Sequence, residues 1–182
     1  MAEGVVRTRV GYAGGTKKDP TYHSLGGHAE TIQIDFDPSV ISYDDLLRMF
    51  WKMHSPQMRA PSTQYRSVVF YHNDNQRQAA ERLKADEEAR IKAAIFTEVV
   101  PFTEFYRAED YHQKYYLRGV RELASEYLAI YPDITDFVGS TATARVNGYA
   151  GRYGTKERLE KELNSLGLSE ESQRRLLKIV GP

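Results

Sequence analysis

Six side chains in this sequence are of types that can grip a polarised oxygen: Tyr12, Glu30, Gln64, Tyr65, His112 and Tyr115. They fall in or beside segments that read as loops adjoining strands or helix starts. A protonated carboxylic acid donates one hydrogen bond and phenol hydroxyls donate others, so such a group could hold an acceptor oxygen. The same tyrosines also suit a plainer role, filling a core and tipping their hydroxyls toward water. Two of the five histidines sit in suggestive contexts. His28-Ala29-Glu30 has the H-x-E form of a zinc deaminase, but that chemistry needs cysteines to hold the metal, and the chain has none. Glu109-x-x-His112 has the spacing of a di-iron carboxylate centre, which requires a second such pair and two further glutamates. With one copy present, His112 reads as a buried hydrogen-bonding residue, and no metal or cofactor is expected. Gly11-Tyr12-Ala13-Gly14-Gly15 lacks the frame of a phosphate-binding loop and reads as a tight loop with no strand before it. Neither a G-x-S-x-G elbow nor a defensible Ser-His-Asp set is present.

The elements that must position these residues alternate in type. Residues 31–36 put Ile32, Ile34 and Phe36 on one face and Thr31, Gln33 and Asp35 on the other, a half-buried strand. Ser42 precedes Tyr43-Asp44-Asp45, a helix start. Leu46, Leu47, Phe50 and Met53 follow as its apolar stripe. Residues 67–72 predict a second strand, 73–95 a charged helix on the outside of a sheet, and 97–102 a third strand kept short by Pro101. From Glu109 the pattern is helical, with Leu117, Val120, Leu123, Ala124, Tyr127 and Leu128 on one stripe. After Pro132 three short helices are expected, opened by Ser140, Thr155 and Ser169. The expected fold is α/β (α+β): a two-layer sandwich with a ferredoxin-like mixed sheet covered by helices, and a C-terminal helical appendage. The expected division is residues 1–131 and 132–182. GYAG occurs at 11–14 and again at 148–151, too short to make a repeat.

The chain has 182 residues, with 25 Lys+Arg against 25 Asp+Glu and a formal net charge of zero. That balance argues against nucleic acid or an anionic membrane surface as partner. The absence of cysteine excludes disulfides, thiolate metal sites and a cysteine nucleophile within these residues. No apolar run suits a bilayer and no signal peptide is evident. Cytoplasm is the expected location, with an organelle as the alternative if a signal has been lost.

Three separated stretches carry a family resemblance: VVRTRVGYAGGTKKDPTYHSLGGHAETIQIDFDPSVISYDDLLRMFW, TQYRSVVFYH and FYRAEDYHQKYY. Together they resemble the A-type peptide-methionine (S)-S-oxide reductases, in the family's order, from about Gly4 to Tyr116. The resemblance implies reduction of methionine sulfoxide, free or in proteins, as repair of oxidative damage. In that family a thiolate attacks the sulfoxide sulfur and becomes a sulfenic acid, and thioredoxin or another thiol reductant restores it. The family's essential glutamate matches Glu30, as the group that protonates or hydrogen-bonds the sulfoxide oxygen. Tyr65 and Tyr12 match its oxygen-holding tyrosines. Gln64, His112, Tyr115 and Tyr149 match positions lining or supporting the substrate site.

The departures are equally specific. The family's nucleophile lies in a G-C-F-W motif upstream of the GVVRTRVGYAGG segment, where this sequence has only Met1–Glu3. A family aspartate before Q-Y-R is missing, with Ser62 near its place. The resolving cysteine of G-Y-C-G has its nearest match in Gly148-Tyr149-Ala150-Gly151. No serine or threonine oxygen can cycle through a sulfenic state, so no thiol-dependent reductase activity is expected of these 182 residues. Three explanations stand: a start assigned too late or a truncated isoform, an upstream selenocysteine whose codon reads as a stop, or a pseudoenzyme that binds methionine sulfoxide or a protein. An interaction domain built on the C-terminal helices is a further alternative. Loss of a strand from a sheet would expose backbone edges, and reduced stability or oligomerisation is the expected consequence.

Overall fold

The protein is described by a computed structural model covering residues 2–181. It is a mixed α/β fold that divides into two compact units, each described by itself. One unit comprises Val10–Ile32 and Asp37–Ala108; the other comprises the stretch to Arg9, Gln33–Phe36 and the chain from Glu109 onward. In the second of these, the helices from Tyr115 onward pack with the C-terminal helices.

Strand β1 (Val5–Ala13) is the element that sequence periodicity missed. It runs directly into Gly14, so GYAGG is not a free-standing loop: Gly11, Tyr12 and Ala13 are strand residues, and Gly14 turns the chain at φ +77. β1 lies between β2 (Ala29–Phe36) and the three-residue β5 (Phe105–Arg107). It pairs antiparallel with β5, Tyr12 opposite Tyr106. Gly11 has no room for a side chain there, since a Cβ would stand 2.2 Å from the Tyr106 carbonyl oxygen.

The expected single sheet is divided. β3 (Val68–Tyr71) and β4 (Glu98–Pro101) form a separate parallel pair, Val69 opposite Val99. Parallel strands need a crossover, and α2 (Asp74–Ile91) supplies it. That helix stops four residues short of the predicted Ile95, because Lys92 adopts a left-handed conformation. α1 (Tyr43–Lys52) starts at a capping box in which Ser42 and Asp45 satisfy each other's backbone amides. Its buried face is Leu47 and Trp51, flanked by Tyr43 and Phe50. The expected Met53 is instead 80% exposed, one turn beyond the packed face. Val69, Ala80, Leu83 and Ile95 complete this core.

The other unit is helical apart from its strand segments. α3 (Tyr115–Arg118), α4 (Arg121–Ile130), α5 (Ile134–Gly139), α6 (Thr141–Ala150), α7 (Lys156–Glu162) and α8 (Glu170–Val180) surround a core of Leu117, Leu123, Tyr127, Phe137, Val146, Leu159 and Leu176. Ser140, Thr155 and Ser169 cap α6, α7 and α8 as their sequence contexts predict. α6 runs on through Gly148 to a cap at Gly151. Among the described residues no helix is long and apolar enough to cross a membrane.

Candidate functional site

Glu30, Gln64 and Tyr65 are brought together although more than thirty residues separate the first from the others. Glu30 is the second residue of β2, next to the fully buried Ala29, and its side chain is exposed. Gln64 and Tyr65 lie on a single 3-10 turn, Thr63–Tyr65. Gln64 Nε2 donates to Glu30 Oε1 at 2.6 Å. Tyr65 is 51% exposed, and its hydroxyl is hydrogen-bonded to that of Tyr22. That hydrogen bond, then the charge of Tyr22, some burial and the charge of Glu30, all push the Tyr65 pKa upward, so its phenol keeps its proton. The cluster therefore holds a carboxyl, an amide and a neutral phenol, open to solvent and able to donate to an acceptor oxygen.

Two residues to which sequence reasoning gave no site role hold this arrangement. Arg66 follows Tyr65, and its guanidinium donates to Gly14 O at 3.0 Å and Gly27 O at 3.2 Å. It thereby ties the turn to the segment after β1 and the segment before β2. Glu98 lies 3.9 Å from its Nε. His28 is buried and makes two opposed contacts: Nδ1 accepts from Gly15 N at 3.1 Å, and Nε2 lies 2.9 Å from Lys17 O. A carbonyl only accepts, so Nε2 carries the proton and Nδ1 does not. The ring packs edge-on against Tyr106 at 5.4 Å. Gly15 makes this possible, because a Cβ at that position would stand 2.3 Å from His28 N. The tautomer fastens the glycine loop beside the strand that carries Glu30. Both residues lay inside quoted motifs, but their contacts are to backbone groups, which leave no spacing signal.

The remaining expected site residues have other surroundings. Tyr12 lies in β1 and is 2% exposed, a strand residue and not a loop residue. His112 ends a 3-10 turn, Asp110–His112, with the Tyr111 ring 4.2 Å from its own. Tyr115 opens α3 and is exposed. Tyr149 is buried in α6, and its hydroxyl donates to Glu162, which also accepts from Arg145. Burial and this bond push the Tyr149 pKa up. His112, Tyr115 and Tyr149 belong to the helical unit, whereas Tyr12, Glu30, Gln64 and Tyr65 belong to the other. Among the described residues no group of three or more His, Asp or Glu could hold a metal ion.

Comparison with known proteins adds an independent line. Residues 1–139 match the peptide methionine sulfoxide reductase family. The chain is 41% identical over 168 residues to a peptide methionine sulfoxide reductase of Drosophila melanogaster, covering 91% of this chain and 67% of the fly protein. It is 49% identical over 127 residues to the enzyme MsrA of Methanosarcina acetivorans, covering 64% of this chain and 68% of that one. Its fold is similar to that of methionine sulfoxide reductase A of Corynebacterium diphtheriae, with a TM-score of 0.55 and 31% identity. That match covers 64% of each chain, so the present chain spans less than two thirds of that protein. Matched over three quarters of its length by the family's sequence pattern, this cysteine-free chain belongs to the peptide methionine sulfoxide reductase family.

Proposed function

We propose that these 182 residues recognise methionine sulfoxide, free or in a protein chain, without reducing it. The observation that carries this reading is the Gln64–Glu30 hydrogen bond of 2.6 Å beside the neutral phenol of Tyr65. A sulfoxide oxygen is strongly polarised and accepts hydrogen bonds. Tyr65 would donate to it, and Glu30 would protonate or hydrogen-bond it as the family's matching glutamate does, with Gln64 orienting the carboxyl. By their match to the family motifs, Tyr12 is the second oxygen-holding tyrosine in this reading, and His112, Tyr115 and Tyr149 are substrate-lining or supporting positions. Reduction needs an electron-pair donor at sulfur that becomes a sulfenic acid. The chain contains no thiol, and hydroxyl oxygens do not undertake that cycle. A thioredoxin-type reductant would therefore find no oxidised sulfur to restore on these residues. The location we propose with it is the cytoplasm, with an organelle as the alternative if a signal has been lost.

The test has two arms. Methionine S-sulfoxide titrated into labelled protein should shift the amide resonances of Glu30, Gln64 and Tyr65, and Glu30→Ala should abolish the response. A thioredoxin–NADPH assay on the same protein should show no turnover. Turnover above the protein-free rate, or saturating shifts confined to other residues, would overturn the proposal.

A further inference from the structure

Tyr116 and Tyr153 meet outside the site described above. Tyr116 belongs to α3, and Tyr153 follows the end of α6, in the same helical unit. Their hydroxyl oxygens are 3.1 Å apart and their ring centroids 5.6 Å apart, with the planes inclined at 64°. Both rings reach solvent, Tyr116 at 42% and Tyr153 at 69% exposure. Gly151 makes room for the pair. It has an ordinary φ of −80, so its backbone does not call for glycine. A Cβ there would stand 2.8 Å from Tyr116 Cδ2 and 2.9 Å from the Tyr153 ring. The missing side chain is what lets the two phenols approach.

We propose that Tyr116 and Tyr153 form an oxidative cross-linking site, joined as an intramolecular dityrosine by a one-electron oxidant such as a haem peroxidase using hydrogen peroxide. Each phenol loses one electron and its hydroxyl proton, giving two phenoxyl radicals. Spin on a phenoxyl ring resides partly at the ortho carbons, which flank the oxygen. One Cε of each ring then joins in a new C–C bond. The hydrogens on those two carbons move to the oxygens, restoring both phenols. The protein loses two electrons and two protons in total, and one hydrogen peroxide takes them up as two waters. Both rings are exposed, so the departing hydroxyl protons pass to solvent water. Exposed side chains reorient within nanoseconds, so the rings can turn from 64° to bonding geometry without displacing a helix. The product staples α3 to the end of α6 across 37 residues.

Other tyrosine pairs fit less well. Tyr127 and Tyr131 stack at 6.3 Å, but Tyr127 is buried and its hydroxyl donates to Leu166 O. Tyr115 and Tyr116 are chain neighbours with rings 5.6 Å apart, and no hydroxyl contact joins them. Tyr22 and Tyr65 share a hydrogen bond in the other unit and are the natural internal competitor.

The experiment treats the dilute protein with horseradish peroxidase and hydrogen peroxide. The expected product is a monomer lighter by two hydrogen atoms and with dityrosine fluorescence. Its trypsin digest should contain one cross-linked species joining residues 115–118 to residues 153–156. Tyr153→Phe and Tyr116→Phe should each abolish that species, and Tyr115→Phe should leave it. Gly151→Ala should cut its yield several-fold with an unchanged circular dichroism spectrum. A cross-link confined to dimers, one mapping to Tyr22–Tyr65, or a yield unaffected by Tyr153→Phe would overturn the proposal.

Discussion

Lys114 makes the fold of the helical unit measurably dependent on pH. The residue is 5% exposed and adopts a left-handed conformation at the start of α3. Its Nζ donates to Thr8 O at 2.6 Å and to Thr8 Oγ1 at 3.2 Å, and neither acceptor is an anion. Burial, and then the nearby charge of Arg9, draw its pKa from 10.5 down to about 8. In the unfolded chain the amine regains its ordinary value. Between these values the unfolded chain holds more protons than the folded one, so stability rises with pH across the window. The gap corresponds to about 3 kcal/mol, of which about 2 kcal/mol should emerge between pH 7 and pH 9.5. Below about pH 8 the full cost of the buried charge is present in the folded state. Urea denaturation of the wild type and of Lys114→Met at both pH values provides the assay. Methionine keeps most of the volume and cannot titrate, so the wild type should gain about 2 kcal/mol relative to the variant on going to the higher pH. Tyr43 and Tyr106, both pushed up to about 12, act in the opposite direction above pH 10. They are common to both proteins, and the comparison removes them. A difference between wild type and variant that stays flat with pH would refute the reasoning.

Three further outcomes follow from particular contacts. Arg66→Gln gives up the cationic donor that reaches Gly14 O and Gly27 O; methionine sulfoxide binding should weaken about tenfold, the worth of one net charged hydrogen bond, and unchanged affinity in a shift titration would count against its positioning role. Gly15→Ala forces a Cβ onto His28 N, an overpacking that should cost about 1–3 kcal/mol in thermal or urea unfolding and broaden the Glu30 resonances. Tyr127→Phe leaves the Leu166 carbonyl without the buried hydroxyl that donates to it at 2.6 Å; a loss of about 1–3 kcal/mol is expected by urea titration, and a neutral result would show that water replaces the hydroxyl there.

What the sequence revealed depended on how local each interaction is. The caps at Ser42, Ser140, Thr155 and Ser169 were legible because each hydroxyl serves an amide three residues ahead. Strand β1 was not, because its logic lies in another strand. Arg7 and Arg9 interrupt its apolar pattern, yet both meet Asp35 on β2, and Arg9 also reaches Gln33 at 2.9 Å. β5 has three residues, too few to show a period. The site divides in the same way. Glu30, Gln64 and Tyr65 stand out in the sequence by residue type and by motif resemblance, and their convergence is a tertiary fact no spacing could supply. Arg66 and His28 escaped because their partners are carbonyls and an amide, which every residue possesses.

The tetrapeptide GYAG states the limit most clearly, because the chain contains it twice. At 11–14 it closes a strand: Tyr12 stands opposite Tyr106, Gly11 presses on the Tyr106 carbonyl, and Gly14 takes a positive φ. At 148–151 it closes a helix: Tyr149 donates to Glu162, and Gly151 keeps a negative φ while clearing space for Tyr116 and Tyr153. Four identical letters thus carry two backbone conformations and two sets of contacts. The first copy is preceded by arginines that Asp35 holds in a strand. The second follows Ser140, whose hydroxyl starts the helix that contains it. In each copy one glycine serves as absent volume beside an aromatic ring, Phe105 at Gly11 and Tyr116 with Tyr153 at Gly151. Its use is set by the rings of distant residues, so a change at Phe105 or at Tyr153 alters what the nearby glycine is for.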